Sequence, residues 1–176
     1  MKNPVFVLPR QFDSNEIFVL IAGFIIMFLV LFLPRRLLLA EIIMIWFFNY
    51  FLAELADFTL ARPPLDLYHF NDTRYYDWFD LILYVFLYPP AAYLFVHCYE
   101  KFRFRGKKLL LYILLFAIVT TILEGISAYF GVFTYNGWKT WYSIPVYCFI
   151  YYLNLKLFLF VRNSLLKKSQ APKERA

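Results

Sequence analysis

Residues 107–131 read KKLLLYILLFAIVTTILEGISAYFG, and the 22 positions from Leu109 to Phe130 hold one charged side chain, Glu124. No ordinary strand is that long, whereas a helix of this length rises about 33 Å, enough to cross the hydrocarbon core of a bilayer. Four more apolar runs flank it, at 17–33, 37–58, 79–99 and 142–161, and the five together take 102 of the 176 residues. The chain is 62% hydrophobic and only 17% charged, against an apolar share nearer half in soluble domains. Little remains for a separate soluble domain. Spans in lipid must satisfy their own backbone, and the ten-residue alternation of a barrel is missing, so the expected fold is all-α and polytopic, with five transmembrane helices. Residues 1–16 form a leading tail and 162–176 a basic closing one. The first run ends at Pro34-Arg35-Arg36 without a small-x-small cleavage pattern, which reads as a retained span. Only a tight turn separates it from the second run, which predicts a hairpin of helices one and two.

Orientation follows from the distribution of Lys and Arg. Lys2, Arg10, Arg62, Arg74 and Lys139 fall on one side of the five spans. Arg35, Arg36, the cluster Lys101, Arg103, Arg105, Lys107 and Lys108, and the tail residues Arg162, Lys167, Lys168, Lys173 and Arg175 fall on the other, with Lys156 inside a span. Twelve against five places the N-terminus outside and the C-terminus in the cytoplasm of a multi-pass cell-membrane protein. The basic clusters would meet anionic headgroups. The net charge of +6 does not point to nucleic acid, because the bases flank apolar runs instead of covering a soluble face. Cys98 and Cys148 lie in spans at different depths, which supports neither a disulfide nor a metal site. No HExxH, zinc spacing, P-loop or GxSxG occurs, so no metal or cofactor is expected.

Ionisable groups within the spans are the sharpest feature, since each costs roughly 2.5–3.5 kcal/mol at mid-bilayer even on the lenient insertion scale. Glu54 and Asp57 fall in the last turn and a half of helix two, Asp80 opens helix three, and Glu124 sits in the outer third of helix four. Thr120, Glu124 and Ser127 share one helix face, while Ala117, Thr121 and Gly125 form a small-residue packing stripe. If Glu54, Asp57, Asp80, Glu124 and Ser127 converge, the outer half of the bundle is a polar site; otherwise they are hydrogen-bonding glue between helices. At the inner end stand Glu41, His97, Asn154 and Lys156. Glu41 either pairs with Lys156 or meets Arg35 and Arg36 while Lys156 snorkels. Pro89-Pro90 removes two mid-span donors and should kink helix three, freeing carbonyls near Val85 and Phe86. The loops at 59–78 and 131–141 are rich in Tyr and Trp, the composition of an interfacial belt, and Asn136-Gly137 marks a turn. A weak internal repeat would match helix two and Glu54 with helix four and Glu124, each followed by an aromatic loop and a proline-bearing return helix.

The last third carries Leu123-Glu124-Gly125, Tyr129-Phe130-Gly131, Tyr135-Asn136-Gly137-Trp138 and Trp141-Tyr142-Ser143 with Pro145. With these residues it resembles a family of small uncharacterised multi-span membrane proteins of Bacillus and Clostridium relatives, mainly over residues 109–161. The resemblance implies a bacterial plasma-membrane protein and supplies no activity. Three function classes follow from the residues. The first is a non-enzymatic accessory or structural protein, acting through a membrane-protein partner or a second copy. The second is a small transporter or channel using the acids as a pathway. The third is an intramembrane lipid or isoprenoid enzyme with paired carboxylates such as Glu54 and Glu124.

Overall fold

A computed structural model describes residues 11–71 and 78–170. The elements run α1 (Ser14–Phe32), α2 (Leu39–Leu60), β1 (Tyr68–Phe70), α3 (Trp78–Phe86), α4 (Tyr88–Phe102), α5 (Lys107–Tyr129), β2 (Phe133–Tyr135), a 3-10 turn (Thr140–Tyr142) and α6 (Ser143–Gln170). The protein is mostly helical, and five helical stretches, α3 and α4 counting as one, are long and apolar enough to cross a membrane. Their outward faces carry exposed Phe24, Phe28 and Leu31 on α1, Phe47 and Phe51 on α2, and Leu110, Leu115 and Ile122 on α5. A water-soluble bundle would place polar residues there, so these faces suit lipid. Residues 72–77, with Arg74 and the predicted belt residues Tyr75 and Tyr76, lie outside the described residues, as do 1–10 of the leading tail and 171–176 of the closing one.

The helix interrupted by proline is the central one: 56% of its apolar window is buried, against 17–22% for the others. The expected kink is a full break. Leu87 leaves regular helix, and α4 restarts with Tyr88, Pro89 and Pro90 in its first turn, where missing N–H groups cost nothing. The Val85 carbonyl that Pro89 would otherwise have engaged accepts the Trp46 indole N–H from α2 (3.1 Å).

The predicted hairpin of the first two helices does not form. Leu33 and Leu38 at either end of the connection are extended, and a six-residue link of that kind reaches up to about 20 Å, some two helix diameters. It carries the chain past its neighbour, so α1 packs on α3 and α4 and α2 packs on α4 and α6. The most extensive helix contact is α5 on α6, with Ala117 and Thr121 of the small-residue stripe buried. Asn49 of α2 and Asn154 of α6 exchange side-chain amide bonds (2.7 and 2.9 Å) and each also donates to its own helix. No donor of either amide is left over at this crossing. Cys98 and Cys148 are free thiols.

The loops pair as an antiparallel ribbon, which their reading as an aromatic belt did not foresee. Tyr68 faces Tyr135, His69 faces Thr134 and Phe70 faces Phe133. The Asn136-Gly137 turn wraps the end of β1, so that the backbone N–H groups of Asn136, Gly137 and Trp138 all donate to the Leu67 carbonyl (2.8–3.1 Å).

At the opposite end Glu41 meets neither Lys156 nor the side chains of Arg35 and Arg36. Asn154 and Leu155 occupy the buried face of α6, which turns Lys156 outward over the Tyr152 ring. Arg162, nearly two turns further, comes level with the start of α2. Its Nε and one terminal nitrogen grip the two Glu41 oxygens (2.6 and 2.7 Å), the other terminal nitrogen pairs with Glu100, and the guanidinium stacks over Phe158. One side chain thus ties α2, α4 and α6. Glu41 is 1% exposed, so Arg162→Ala should leave a buried charge alone and cost about 3–5 kcal/mol in thermal or denaturant unfolding of the detergent-solubilised protein. Arg162→Lys should fall between, and Lys156→Ala should stay within about 0.5 kcal/mol. The reverse ranking of Arg162 and Lys156 would refute this assignment.

Candidate functional site

Between the ribbon and the aromatic core lies a cavity of about 130 Å3. α2 contributes Asn49, Ala53, Ala56, Asp57 and Leu60; α4 contributes Tyr88, Ala91 and Ala92; α5 contributes Thr120 and Glu124; α6 contributes Ser143, Val146, Tyr147, Ile150 and Tyr151. Tyr68, Phe70, Phe133, Tyr135 and Trp138 roof it. Its floor rests on the Asn49–Asn154 crossing and, below that, on the packed rings of Phe95, Tyr112, Phe116 and Tyr151.

Two carboxyls face this space, and both are bound by hydroxyls. Asp57 Oδ1 accepts from Tyr68 (2.7 Å) and Oδ2 from Tyr84. Glu124 Oε1 accepts from Tyr135 (2.7 Å) and Ser143 (2.8 Å), and Oε2 from Tyr147 (2.6 Å). Ser143 is oriented by the Trp138 indole, which donates to its oxygen (2.9 Å). Hydrogen bonds to a carboxylate are roughly twice as strong as neutral ones, so five such bonds hold the ribbon and the helix ends in one arrangement. Neither carboxyl has a Lys or Arg partner among the described residues, whose ion pairs join Arg103 to Glu100 and Arg162 to Glu41 and Glu100.

The two halves repeat. Asp57 precedes its ribbon tyrosine by eleven residues and Glu124 precedes its own by eleven. Asp57 and Glu124, like Tyr68 and Tyr135, are 67 positions apart, and the two tyrosines sit directly opposite in the ribbon. In each half a helix thus carries an acid that is met, eleven residues on, by the tyrosine of the strand that follows. The equivalence therefore joins Asp57 to Glu124; the sequence repeat had matched Glu54.

The five residues singled out from sequence do not all meet. Asp57 and Glu124 share the cavity. Glu54 is half-buried one turn back on α2 and outside the lining. Asp80 is buried elsewhere, accepting the Asn71 amide (2.9 Å) that fixes the corner after β1. Ser127 donates to the carbonyl of Leu123 on its own helix (2.8 Å) and leaves Glu124 to other partners. Sequence reasoning missed the tyrosines, although an acid followed eleven residues later by Tyr in two aromatic loops was the available signal. Among the described residues no group of three His, Cys, Asp or Glu gathers as a metal site.

Burial, and then the neighbouring Asp57, push the Tyr68 hydroxyl well above its ordinary range; burial and the bond to Glu124 do the same for Tyr135. Both remain donors in strongly alkaline solution. Because the folded values lie above those of the unfolded chain, this stabilisation is complete below about pH 10 and is lost as pH rises through the folded values.

The fold and site define a polytopic helical membrane protein with an acid-lined cavity at one end of its bundle. Comparison with protein-family models, curated proteins and solved structures gives no match to this chain.

Removing one donor from Glu124 by Tyr135→Phe should cost about 1.5–3 kcal/mol in unfolding of the purified protein, and Glu124→Leu, which strands three donors, should cost more. Ser127→Ala should change stability by less than about 0.5 kcal/mol. A loss at Ser127 as large as that at Tyr135 would contradict the site drawn here.

Proposed function

We propose that this chain is a multi-pass protein of a bacterial plasma membrane, N-terminus outside and C-terminus cytoplasmic, that works without catalysis by holding a small amphiphile in its cavity. One observation carries this reading: two carboxyls, one from each half of the chain, face one otherwise apolar space between membrane-spanning helices. Such a lining, mostly hydrophobic and aromatic with a few convergent polar groups, is the usual make-up of a small-molecule site. The orientation rests on the Lys and Arg distribution; the end fastened by Arg162 carries the 101–108 cluster and would face the anionic leaflet.

The two other function classes fit less well. A general acid or base exchanges a proton with its substrate, and here each carboxyl is already engaged by two or three tyrosine or serine hydroxyls, an arrangement that favours holding a ligand over moving a proton. A conduction path would have to continue past the floor, where the two asparagines satisfy each other and stacked aromatic rings fill the bundle.

Native mass spectrometry of protein extracted in mild detergent tests the binding reading. Wild type should retain a low-mass amphiphile, and Ala56→Trp, which fills the cavity, should lose it while unfolding at the same temperature. Equal retention by both proteins, or none by either, would refute the reading. A Leu65→Cys variant, at an exposed position in the loop before β1, should be labelled by an impermeant thiol reagent in intact cells; labelling only after permeabilisation would reverse the orientation.

A further inference from the structure

Taking the cavity as a binding site, as above, we propose that its ligand is an amphiphile with a primary ammonium head, seated between Asp57 and Glu124 with its alkyl part against the apolar wall formed by α2 and α6. The charge balance of the cavity points to a cation. Asp57 and Glu124 are surrounded by hydroxyl donors, the pattern suited to an acceptor-only, ionised carboxylate. No described Lys or Arg is in ion-pair contact with either carboxyl, Arg62 acting on Asp57 only from beyond that distance, so a cation entering the cavity would offset the cost of burying both as carboxylates.

Tyr88 adds an independent sign. It lies on the cavity wall together with Asp57 and Glu124, and its hydroxyl makes no hydrogen bond among the described residues. A polar group left open on the wall that two carboxyls share marks where a ligand head would sit. An ammonium with N–H donors can use the remaining lone pairs of the carboxylates and the Tyr88 oxygen together; an alcohol offers one donor and a fatty acid adds a third negative charge. The rings of Tyr68, Tyr147 and Trp138 bound the same space and favour a cation over their faces.

The alkyl part has its own surface. Small side chains, Ala53 and Ala56, line the cavity from α2, and Leu52 of α2 with Val146 and Ile150 of α6 keep its wall apolar. A chain of methylene groups can lie against that wall.

The test uses the full-length protein in dodecyl maltoside, with dodecylamine, dodecanol and dodecanoate as probes of equal chain length and unfolding followed by intrinsic tryptophan fluorescence. Dodecylamine at about a hundred times its Kd should raise the midpoint by roughly 5–10 °C, and the other two should raise it far less. Asp57→Asn and Glu124→Gln should lose the shift. Because these variants remove structural bonds, Ala56→Lys provides a second measurement: a tethered ammonium in the cavity should raise the midpoint without ligand and cancel the dodecylamine effect. Equal stabilisation by dodecanol would overturn the ammonium assignment and leave the binding site standing. Stabilisation by dodecylamine that survives in Asp57→Asn and Glu124→Gln would overturn it as well. If no probe shifts wild type and Ala56→Trp retains the wild-type adducts, the binding reading itself falls.

Discussion

A carboxyl placed between membrane-spanning helices finds no water to solvate it, so its lone pairs must be filled from inside the protein, and much of this molecule is arranged to do so. Asp57 and Glu124 together take five donors: Tyr84, Ser143 and Tyr147 come from helices, and the ribbon supplies one more to each acid. Pairing β1 with β2 sets Tyr68 opposite Tyr135, so that each strand brings a hydroxyl to the acid of its own half. The wrapped Asn136-Gly137 turn then carries Trp138 to Ser143, and Ser143 to Glu124. The other end solves the same problem in another way, with a single guanidinium shared by Glu41 and Glu100.

The break at Leu87 belongs to the same scheme. Ending α3 before Tyr88-Pro89-Pro90 lets two short helices share one span, one presenting Tyr84 to Asp57 and the other Tyr88 to the cavity. Trp46 covers the carbonyl that the prolines leave without an N–H. Proline in the middle of a span is tolerated where neighbouring side chains take over the freed backbone groups, as here.

Much of the architecture was legible in the chain. Five apolar runs became five spans, with ends displaced by a few residues except at α6, which runs nine residues further, because hydropathy and helix length are local properties. Helix order was not, because a six-residue extended link reaches more than one neighbour and periodicity does not say which. Glu124 stood out as an acid deep in a uniform apolar run and does lie in the cavity. Ser127 was included because it shares a face with Glu124, but a hydroxyl one turn below a carbonyl bonds its own helix at no cost. The tyrosine partners were hidden by their own composition, since Tyr at a membrane interface is expected whatever it binds. Only the doubled eleven-residue step from acid to Tyr separates these residues from a belt. Arg162 was hidden for a related reason: it sat in a basic tail whose members look alike until α6 is seen to run 28 residues.

The account stands on the ribbon bringing the two halves into register, and cross-linking measures that directly. In a chain with Cys98 and Cys148 replaced by serine, His69→Cys and Thr134→Cys place thiols on directly opposed residues, with Cα atoms about 4.5–5.5 Å apart, within disulfide range. Mild oxidation in native membranes should cross-link this pair within one chain to near completion, and the control pair His69→Cys with Tyr142→Cys, the latter in the 3-10 turn and outside the ribbon, should remain reduced. Failure of the opposed pair to cross-link while the control pair does so would contradict the ribbon, and with it the cavity that the two acids share.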